Sequence, residues 1–251
     1  MYGLPHQTVA TVTDTAERAL ALRPDRIALF GYAHVPWMKR HQKLIPEETL
    51  PGSHERFAQS RAAADVFAGS GYRHIGLDHF ARVGDPLAER QREGRLHRNF
   101  QGYTTDETVN LIGFGPSAIG SLPGGYVQNT PHMIGYRDAI MAGRPATVRG
   151  RPATVRGRAV TAEDRLRGRI IERLMCDLRV DLADVCRAHG ASAERFAGEL
   201  SALDELAQDG LVVRNGSEIA VPQEARAFVR SVCAVFDQYA PQLETRYSRA
   251  S

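Results

Sequence analysis

Apolar positions in the first half of the chain follow a helical period in some stretches and form short continuous runs in others. Thr8 can cap a helix over residues 9–22, where apolar residues recur every three or four positions. The apolar stripe of that helix comprises Val12, Ala16, Ala19 and Leu20. Residues 27–30 form a continuous apolar run, which is typical of a strand buried on both faces.

A second helix and strand follow in the same order. A helix is predicted from Ser53 to the glycines at 69–71, with Phe57, Ala64 and Phe67 at helical spacing. Residues 72–77 then form the next strand. Because strands alternate with helices, the pattern predicts a parallel sheet. Residues 1–143 are therefore predicted to be the C-terminal part of a partial, TIM-like α/β barrel.

The last 91 positions, residues 161–251, predict a separate, mostly helical domain. Thr161-x-x-Asp164 has the spacing of a capping box, and an apolar stripe follows it. Further helices are predicted near 181–188, 193–208 and 223–239. Residues 211–221 predict a β-hairpin, with a type I′ turn signal at Asn215-Gly216. Three helices followed by a hairpin form a winged-helix-like pattern.

A tandem repeat lies between these two regions. The seven residues from Arg144 to Gly150 occur again, unchanged, from Arg151 to Gly157. Because the repeat is rich in arginine, proline and glycine, residues 144–160 are predicted to be a linker that carries a slipped duplication. A basic arm for nucleic acid is the alternative interpretation.

Composition indicates a soluble globular protein. Apolar residues make up 43% of the 251 residues and charged residues 24%, and the net charge is +3. No apolar run is long enough to span a membrane, and the N-terminus resembles no signal peptide, so we expect a cytoplasmic protein without a membrane partner. The three cysteines, Cys176, Cys186 and Cys233, are too widely spaced for a compact metal motif and are expected to be buried and reduced.

Polar side chains concentrate between residues 76 and 105, and this stretch is predicted to be loops that hold a polar, anionic ligand. Asp78 and His79 are adjacent, and on an extended segment their side chains would point to opposite sides. We therefore predict no shared metal site there. A general acid–base role and a structural role for His79 both remain open. His34, His79 and His97 lack metal-ligand spacing.

The winged-helix pattern raises nucleic-acid binding as an alternative function. The helix that would enter a groove carries only one basic residue, Arg195. Its acidic residues are Glu194, Glu199, Asp204, Glu205 and Asp209. Because phosphates require the opposite charge, no nucleic-acid partner is predicted.

Several segments, in order along the chain, closely resemble the oxygen-independent coproporphyrinogen III oxidases, which are radical S-adenosylmethionine enzymes of haem biosynthesis. The segments are 2–5, 32–36, Gly76-x-Asp78-His79-Phe80-Ala81, 91–105 and Gly113-x-Gly115-x-Ser117-Ala118-Ile119. The related haem-chaperone branch typically has Asn-x-x-Tyr-Trp where this chain has Asn99-Phe100-Gln101-Gly102-Tyr103. The resemblance therefore favours the oxidases.

The resemblance implies a partial α/β barrel with a helical C-terminal domain, and a protein that is usually monomeric. It implies a [4Fe–4S] cluster on a CxxxCxxC motif and two S-adenosylmethionine molecules. The cluster reduces S-adenosylmethionine to a radical, and two propionates of coproporphyrinogen III become vinyl groups. By position, Ala33 is expected to line the second S-adenosylmethionine and Ile119 the first.

The cluster motif belongs to the family's first half, and this chain begins after it, so no metal ligand or catalytic residue is assigned here. We expect a fragment, with a possible missing N-terminal half, that has no radical source by itself. A catalytically dead interaction fragment is the corresponding alternative. Asp78, His79, Arg82 and Arg98 are predicted to hold the tetracarboxylate substrate, with the arginines pairing propionates.

Overall fold

The structure is a computed structural model that describes residues 1–143 and 154–240. These residues form two compact units. Of the described residues, the first unit comprises 1–99, 103–105 and 170–240, and the second unit comprises 100–102, 106–143 and 154–169. The boundary between these units does not coincide with the predicted linker at residues 144–160. The predicted division into domains stays a prediction. Residues 144–153 of the tandem repeat lie outside the described residues.

The described residues contain α-helices and short 3-10 helices. The α-helices are α1 (Val9–Ala21), α2 (Ser53–Gly69), α3 (Pro86–Arg92), α4 (Met133–Met141), α5 (Ala162–Asp177), α6 (Leu182–Ala188), α7 (Ala197–Gln208) and α8 (Val229–Phe236). The 3-10 helices are Arg40–Leu44, Glu47–Thr49, Ala193–Phe196 and Gln223–Phe228. No helix in residues 1–143 or 154–240 is long and apolar enough to cross a membrane.

Strands form four small sheets in the described part of the chain. They are β1 (Arg26–Ala28), β2 (Tyr72–Ile75), β3 (His79–Arg82), β4 (His97–Asn99), β5 (Gly102–Thr104), β6 (Ile119–Leu122), β7 (Gly125–Asn129), β8 (Thr154–Ala159), β9 (Arg179–Asp181), β10 (Val213–Asn215) and β11 (Glu218–Ala220). The strand orders are β1-β3-β2, β4-β5, β6-β7-β8 and β10-β11-β9. Strand β8 lies inside the segment 144–160 that the sequence predicts to be a linker.

The first sheet differs from the predicted parallel arrangement. Strand β3 lies between β1 and β2 and pairs antiparallel with both, with Phe80 opposite Ile27 on one side and His74 on the other. Strands β1 and β2 therefore run in the same direction without being neighbours. The alternation of strands and helices predicts a parallel sheet, but residues 79–82, which the sequence places in a polar loop, form the strand between β1 and β2. An isolated parallel bridge joins Tyr2 and Gly31.

Strand β3 is buried on both faces. Phe80 packs on one face, with ring centroids 5.0 Å from Phe67 of α2 and 4.3 Å from His74 of β2. Ala81 packs on the other face with Ile75 and Leu87. Because successive side chains of a strand alternate between faces, one short strand joins the two apolar clusters of the first unit.

The first two predicted helices are confirmed. Thr8 and Thr11 form the capping box of α1, and Val12 and Ala16 are buried. The predicted stripe of α2 is only partly right, because its buried residues are Gln59, Ala63 and Phe67, and Phe57 is exposed. The buried amide of Gln59 accepts a hydrogen bond from the Gly3 N–H at 2.9 Å and donates one to the Gln7 carbonyl at 2.7 Å.

The C-terminal elements largely follow the prediction. Thr161 and Asp164 form the predicted capping box of α5, with their reciprocal backbone bonds at 2.8 and 3.1 Å. Strands β10 and β11 form the predicted hairpin, and β9, which was not predicted, pairs with β11. The turn differs from the predicted type I′. Gly216 is the first loop residue, with φ 61°, and Ser217 has no positive φ, which is the glycine placement of a type II′ turn.

Replacing Phe80 with alanine tests whether β3 joins the two clusters. Phe80 is 1% exposed, so the substitution leaves a cavity against Phe67 and His74. We expect the free energy of unfolding to fall by about 3–5 kcal/mol in chemical denaturation. Val83→Ala at a 79% exposed neighbouring position is the control and should change it by less than about 0.5 kcal/mol. Equal effects would contradict the packing role of Phe80.

The buried imidazole of His74 makes stability depend on pH. Burial, and then the positive charge of Arg226, lower the pKa of His74 from 6.5 to about 4. Between these values the unfolded chain binds more protons than the folded one, so stability is lost as the pH falls. We expect this group to remove about 3 kcal/mol between pH 7 and pH 4. Denaturation of the wild type and His74→Gln across that range should show a smaller loss in the variant. Parallel pH dependences would contradict the shift.

Candidate functional site

Three residues, Gly76, Leu77 and Asp78, form the turn that joins β2 to β3. We call them the 76–78 turn. Gly76 has φ 55°, and a Cβ atom added there would lie 2.0 Å from Cζ of Tyr103. Only glycine meets both conditions, because an L side chain is strained at this φ and has no space. The aromatic ring of Tyr103 therefore packs directly against the backbone of the turn.

Side chains from separate elements hold the backbone of Leu77. The Tyr103 hydroxyl accepts a hydrogen bond from the Leu77 N–H at 2.8 Å and donates one to the Met175 carbonyl at 2.9 Å. On the other side, Nε2 of His74 lies 3.0 Å from the Leu77 carbonyl. Because a carbonyl oxygen only accepts hydrogen bonds, Nε2 of His74 carries the proton and is the donor of this bond. Both backbone groups of Leu77 are therefore paired.

Gly76 and Asp78 are held through their carbonyl groups. The Gly76 carbonyl accepts a hydrogen bond from the guanidinium of Arg226, which lies on the 3-10 helix Gln223–Phe228. The Asp78 carbonyl accepts one from the Leu29 N–H at 2.8 Å. The 76–78 turn is thus tied to β5, to the chain after β1 and to the C-terminal helices.

Asp78 and His79 form a close pair at the end of this turn. Nδ1 of His79 lies 2.6 Å from Oδ1 of Asp78, and both side chains are largely buried. The prediction that they point to opposite sides is wrong, because Asp78 belongs to the turn and only His79 belongs to the strand. With Nδ1–H donated to the carboxylate, the outer nitrogen Nε2 can accept a proton or, once protonated, donate one. No described residue forms a hydrogen bond with Nε2.

Tyr103 connects this pair to Arg98. The His79 ring meets the Tyr103 ring edge to face at 5.2 Å, and the guanidinium carbon of Arg98 lies 5.7 Å from the centroid of the Tyr103 ring. Burial raises the pKa of Tyr103 well above its ordinary value, so its hydroxyl stays protonated. We call Asp78, His79, Arg98 and Tyr103 the Tyr103 cluster. Three predicted site residues therefore surround one tyrosine that the prediction omitted.

Among the residues predicted to hold the substrate, Arg82 does not belong to this cluster, although it lies on the same strand as His79. It is three positions beyond His79 in β3, so the two side chains leave the strand on opposite faces. NH1 of Arg82 lies 3.7 Å from a carboxylate oxygen of Asp25, and both side chains are well exposed. The structure thus groups Arg82 with Asp25, and its role at the substrate stays a prediction.

The two predicted cofactor residues lie in different units. In the first unit, the carbonyl of Ala33 accepts a hydrogen bond from the buried side chain of Gln42 at 3.0 Å, and Gln42 also accepts one from the Val35 N–H at 2.6 Å. In the second unit, Ile119 begins β6 and pairs with Gln128 of β7. Both residues are half-buried. Their predicted contacts with S-adenosylmethionine stay predictions.

An iron–sulfur cluster does not fit the residues that the structure describes. Cluster iron requires several thiolates close together. Cys176, Cys186 and Cys233 are buried, and burial raises the pKa of Cys176 and of Cys233 to about 12. No three His, Cys, Asp or Glu side chains of residues 1–143 and 154–240 are placed to hold a metal ion together. His97 belongs to no such group of three. Its Nδ1 lies 3.0 Å from Oε1 of Glu172.

Tyr103 and Arg226 are the residues of this site that sequence reasoning missed. Arg226 lies in a stretch that also contains Gln223, Glu224 and Arg230, so the sequence gives no signal that its charge is buried. Tyr103 lies in the polar segment, but nothing in its spacing indicates contact with Gly76. The partners of both residues are distant in sequence, so only the fold brings them together.

Comparison with known proteins shows which proteins this chain resembles. A family model described as the HemN C-terminal domain matches residues 160–228. An oxygen-independent coproporphyrinogen III oxidase from Bradyrhizobium diazoefficiens is 47% identical over 250 residues, which cover 100% of this chain and 54% of that protein. One from Thermostichus vulcanus is 40% identical over 252 residues, which cover 100% of this chain and 76% of that protein.

A solved structure is also similar. The coproporphyrinogen III oxidase (HemN) from Escherichia coli, described as a radical SAM enzyme, matches with a TM-score of 0.87 and 38% identity, over 95% of this chain and 54% of that chain. The chain thus spans about half the length of the Bradyrhizobium and Escherichia proteins. From the identity and the coverage of the Thermostichus protein, we conclude that this chain belongs to the oxygen-independent coproporphyrinogen III oxidase family.

Proposed function

We propose that this chain forms the substrate-binding part of an oxygen-independent coproporphyrinogen III oxidase, which converts two propionates of coproporphyrinogen III to vinyl groups. The Tyr103 cluster is the observation that supports this proposal, because it places an Asp–His pair at the 76–78 turn and an exposed arginine, Arg98 of β4, against the same tyrosine. The proposed substrate is a tetracarboxylate that also carries pyrrole N–H groups. In the cluster, Arg98 can bind a carboxylate and His79 can accept a hydrogen bond from a pyrrole N–H.

Arg98 is the residue that we propose binds a propionate. Its side chain is exposed, and no described residue forms an ion pair with it. Its backbone is held, because its N–H donates to Oε1 of Glu172 at 3.4 Å. A guanidinium on a fixed backbone can bind a carboxylate through two parallel hydrogen bonds. Arg82, with its solvent-exposed Asp25 partner, is proposed as a second carboxylate ligand, since a surface ion pair of this kind is weak.

The Asp78–His79 pair is proposed to face the pyrrole nitrogens or a second carboxylate. Asp78 fixes the proton on Nδ1 of His79, so the neutral ring presents Nε2 as an acceptor for a pyrrole N–H. When the ring is protonated, the same atom donates to a carboxylate instead. In both cases the contribution of Asp78 is to orient the ring.

Ala33 and Ile119 are proposed to contact S-adenosylmethionine, as the family resemblance implies. Their half-buried backbone and apolar surface suit an adenosine, and Gln42 holds the chain around Ala33. When bound, S-adenosylmethionine supplies the hydrogen-abstracting radical. Because the described residues do not fit the iron–sulfur cluster, we assign no step of the reaction to them through that group.

We also propose the finer architecture that the resemblance implies. Residues 1–143 would be the C-terminal part of a partial α/β barrel, and residues 161–251 a winged-helix-like domain. The order of α5, α6 and α7 before the β10–β11 hairpin supports the second assignment. Nothing in it favours nucleic-acid binding, because the first turn of α7 is acidic and the helix has no basic residue in its last turn.

Replacing Arg98 with leucine tests the proposed function. We expect the affinity for coproporphyrinogen III, measured by anaerobic calorimetry, to fall by about tenfold or more, because a charge-assisted hydrogen bond to a carboxylate is lost. Arg98→Lys keeps the charge without the planar fork and should give an intermediate loss. The tetramethyl ester of the substrate has no carboxylate, so its binding should be insensitive to both substitutions.

A matched control comes from the same unit. Arg18 of α1 is 81% exposed in its side chain and pairs only loosely with Asp14, so Arg18→Leu removes the same charge away from the cluster. It should leave the affinity within about twofold of the wild type. Unchanged affinity in Arg98→Leu would remove Arg98 from the site, and absence of binding by the wild-type chain would refute the proposed function.

A further inference from the structure

Arg226 is a buried cation that contacts the 76–78 turn from the C-terminal part of the chain. It is 7% exposed and lies within the segment that matches the C-terminal family domain. NH1 donates to the Gly76 carbonyl, while Nε and NH2 both donate to Oε1 of Gln223, at 3.2 and 2.5 Å. We propose that Arg226 is a positioning residue that fixes the 76–78 turn and thereby orients the Asp78–His79 pair.

The burial of this charge is costly and therefore informative. No carboxylate of residues 1–143 or 154–240 forms an ion pair with Arg226, so its partners are a backbone carbonyl and an amide oxygen. Burial lowers the pKa of Arg226 to about 10, and the group therefore stays charged at pH 7. An apolar side chain of similar size would avoid this desolvation cost. The buried charge is retained for its hydrogen bonds, which the guanidinium donates to the Gly76 carbonyl and to Gln223.

The path from Arg226 to His79 is short. Gly76 lies two residues before Asp78, and Gly76 is the residue whose conformation and close contact with Tyr103 define the turn. Tyr103 and His74 hold the middle residue, Leu77, but neither bonds to the Gly76 carbonyl. Without Arg226 this buried carbonyl loses its partner, and the turn can rotate to find another. The carboxylate of Asp78, which orients the His79 ring, moves with the turn.

The geometry of the guanidinium suits this role. Its planar fork reaches Gly76 and Gln223 at the same time, so the charge is held in one place by its own helix.

The imidazole of His79 gives a direct readout of this positioning. In the chain labelled with 15N at histidine, NMR should show the proton of His79 on Nδ1 and slow exchange of that proton with water. In Arg226→Gln we expect this exchange to become about tenfold faster or more, because the Asp78–His79 hydrogen bond opens more often. Arg226→Lys can reach one partner and should give a smaller acceleration. An unchanged exchange rate and tautomer in Arg226→Gln would overturn the proposal.

Arg173 supplies the matched control. It is 8% exposed, forms an ion pair with Asp177 at 2.7 Å and donates to the carbonyls of Gly94 and Leu96, so it is a buried arginine with partners outside the 76–78 turn. Arg173→Gln should lower the melting temperature as Arg226→Gln does, yet leave the His79 signals at their wild-type values. Equal changes at His79 in both variants would show a general loss of structure and refute a positioning role.

A second variant covers the case in which Arg226→Gln does not fold. Gln223 is exposed, and Gln223→Ala removes the anchor of the guanidinium while keeping its charge. It should accelerate the His79 exchange by a smaller factor than loss of Arg226, and no acceleration at all would count against the proposal.

The positioning role of Arg226 rests on the proposed function only where it concerns substrate binding. Failure of the wild type to bind coproporphyrinogen III would refute that function and leave the His79 measurement decisive for Arg226.

Discussion

The turn of Gly76, Leu77 and Asp78 reverses the chain between two buried strands within three residues, and much of the first unit depends on it. The reversal requires a positive φ at Gly76 and allows the Tyr103 ring to lie directly on the backbone. It also inserts β3 between β1 and β2, where Phe80 and Ala81 enter two separate apolar clusters. The same turn presents Asp78 and His79 as a contacting pair. The packing of β3 and the contact between Asp78 and His79 therefore both depend on the geometry of this turn.

Buried cations connect the C-terminal elements of the first unit to its N-terminal elements. Arg226 bonds to the carbonyl of Gly76, and Arg173 of α5 bonds to the carbonyls of Gly94 and Leu96. Each guanidinium satisfies backbone groups that apolar packing would leave unpaired. Such bonds are directional, whereas apolar contacts are not, so they determine where a loop lies as well as how strongly it is held. A site made of short turns and strands benefits from this kind of support.

The helices were predictable because their determinants are local. Thr8 and Thr161 each cap a helix through a residue three positions away, and the stripe on α5 follows directly from its period. The hairpin of β10 and β11 follows from the Asn215-Gly216 pair between two short strand-like runs. On α2 the period placed the helix correctly but not its buried face. Gln59 is buried there because Gly3 and Gln7, both distant in sequence, satisfy its amide.

The sequence by itself determined the family, the positions of most helices and three residues of the Tyr103 cluster. It determined them because capping, period and motif order lie within neighbouring residues. Only the tertiary structure decided that residues 79–82 form a central strand, that Asp78 contacts His79, and that Tyr103 and Arg226 hold the turn. These contacts join residues as far as 150 positions apart. Their energies depend on burial and on paired backbone groups, which exist only after the chain has folded.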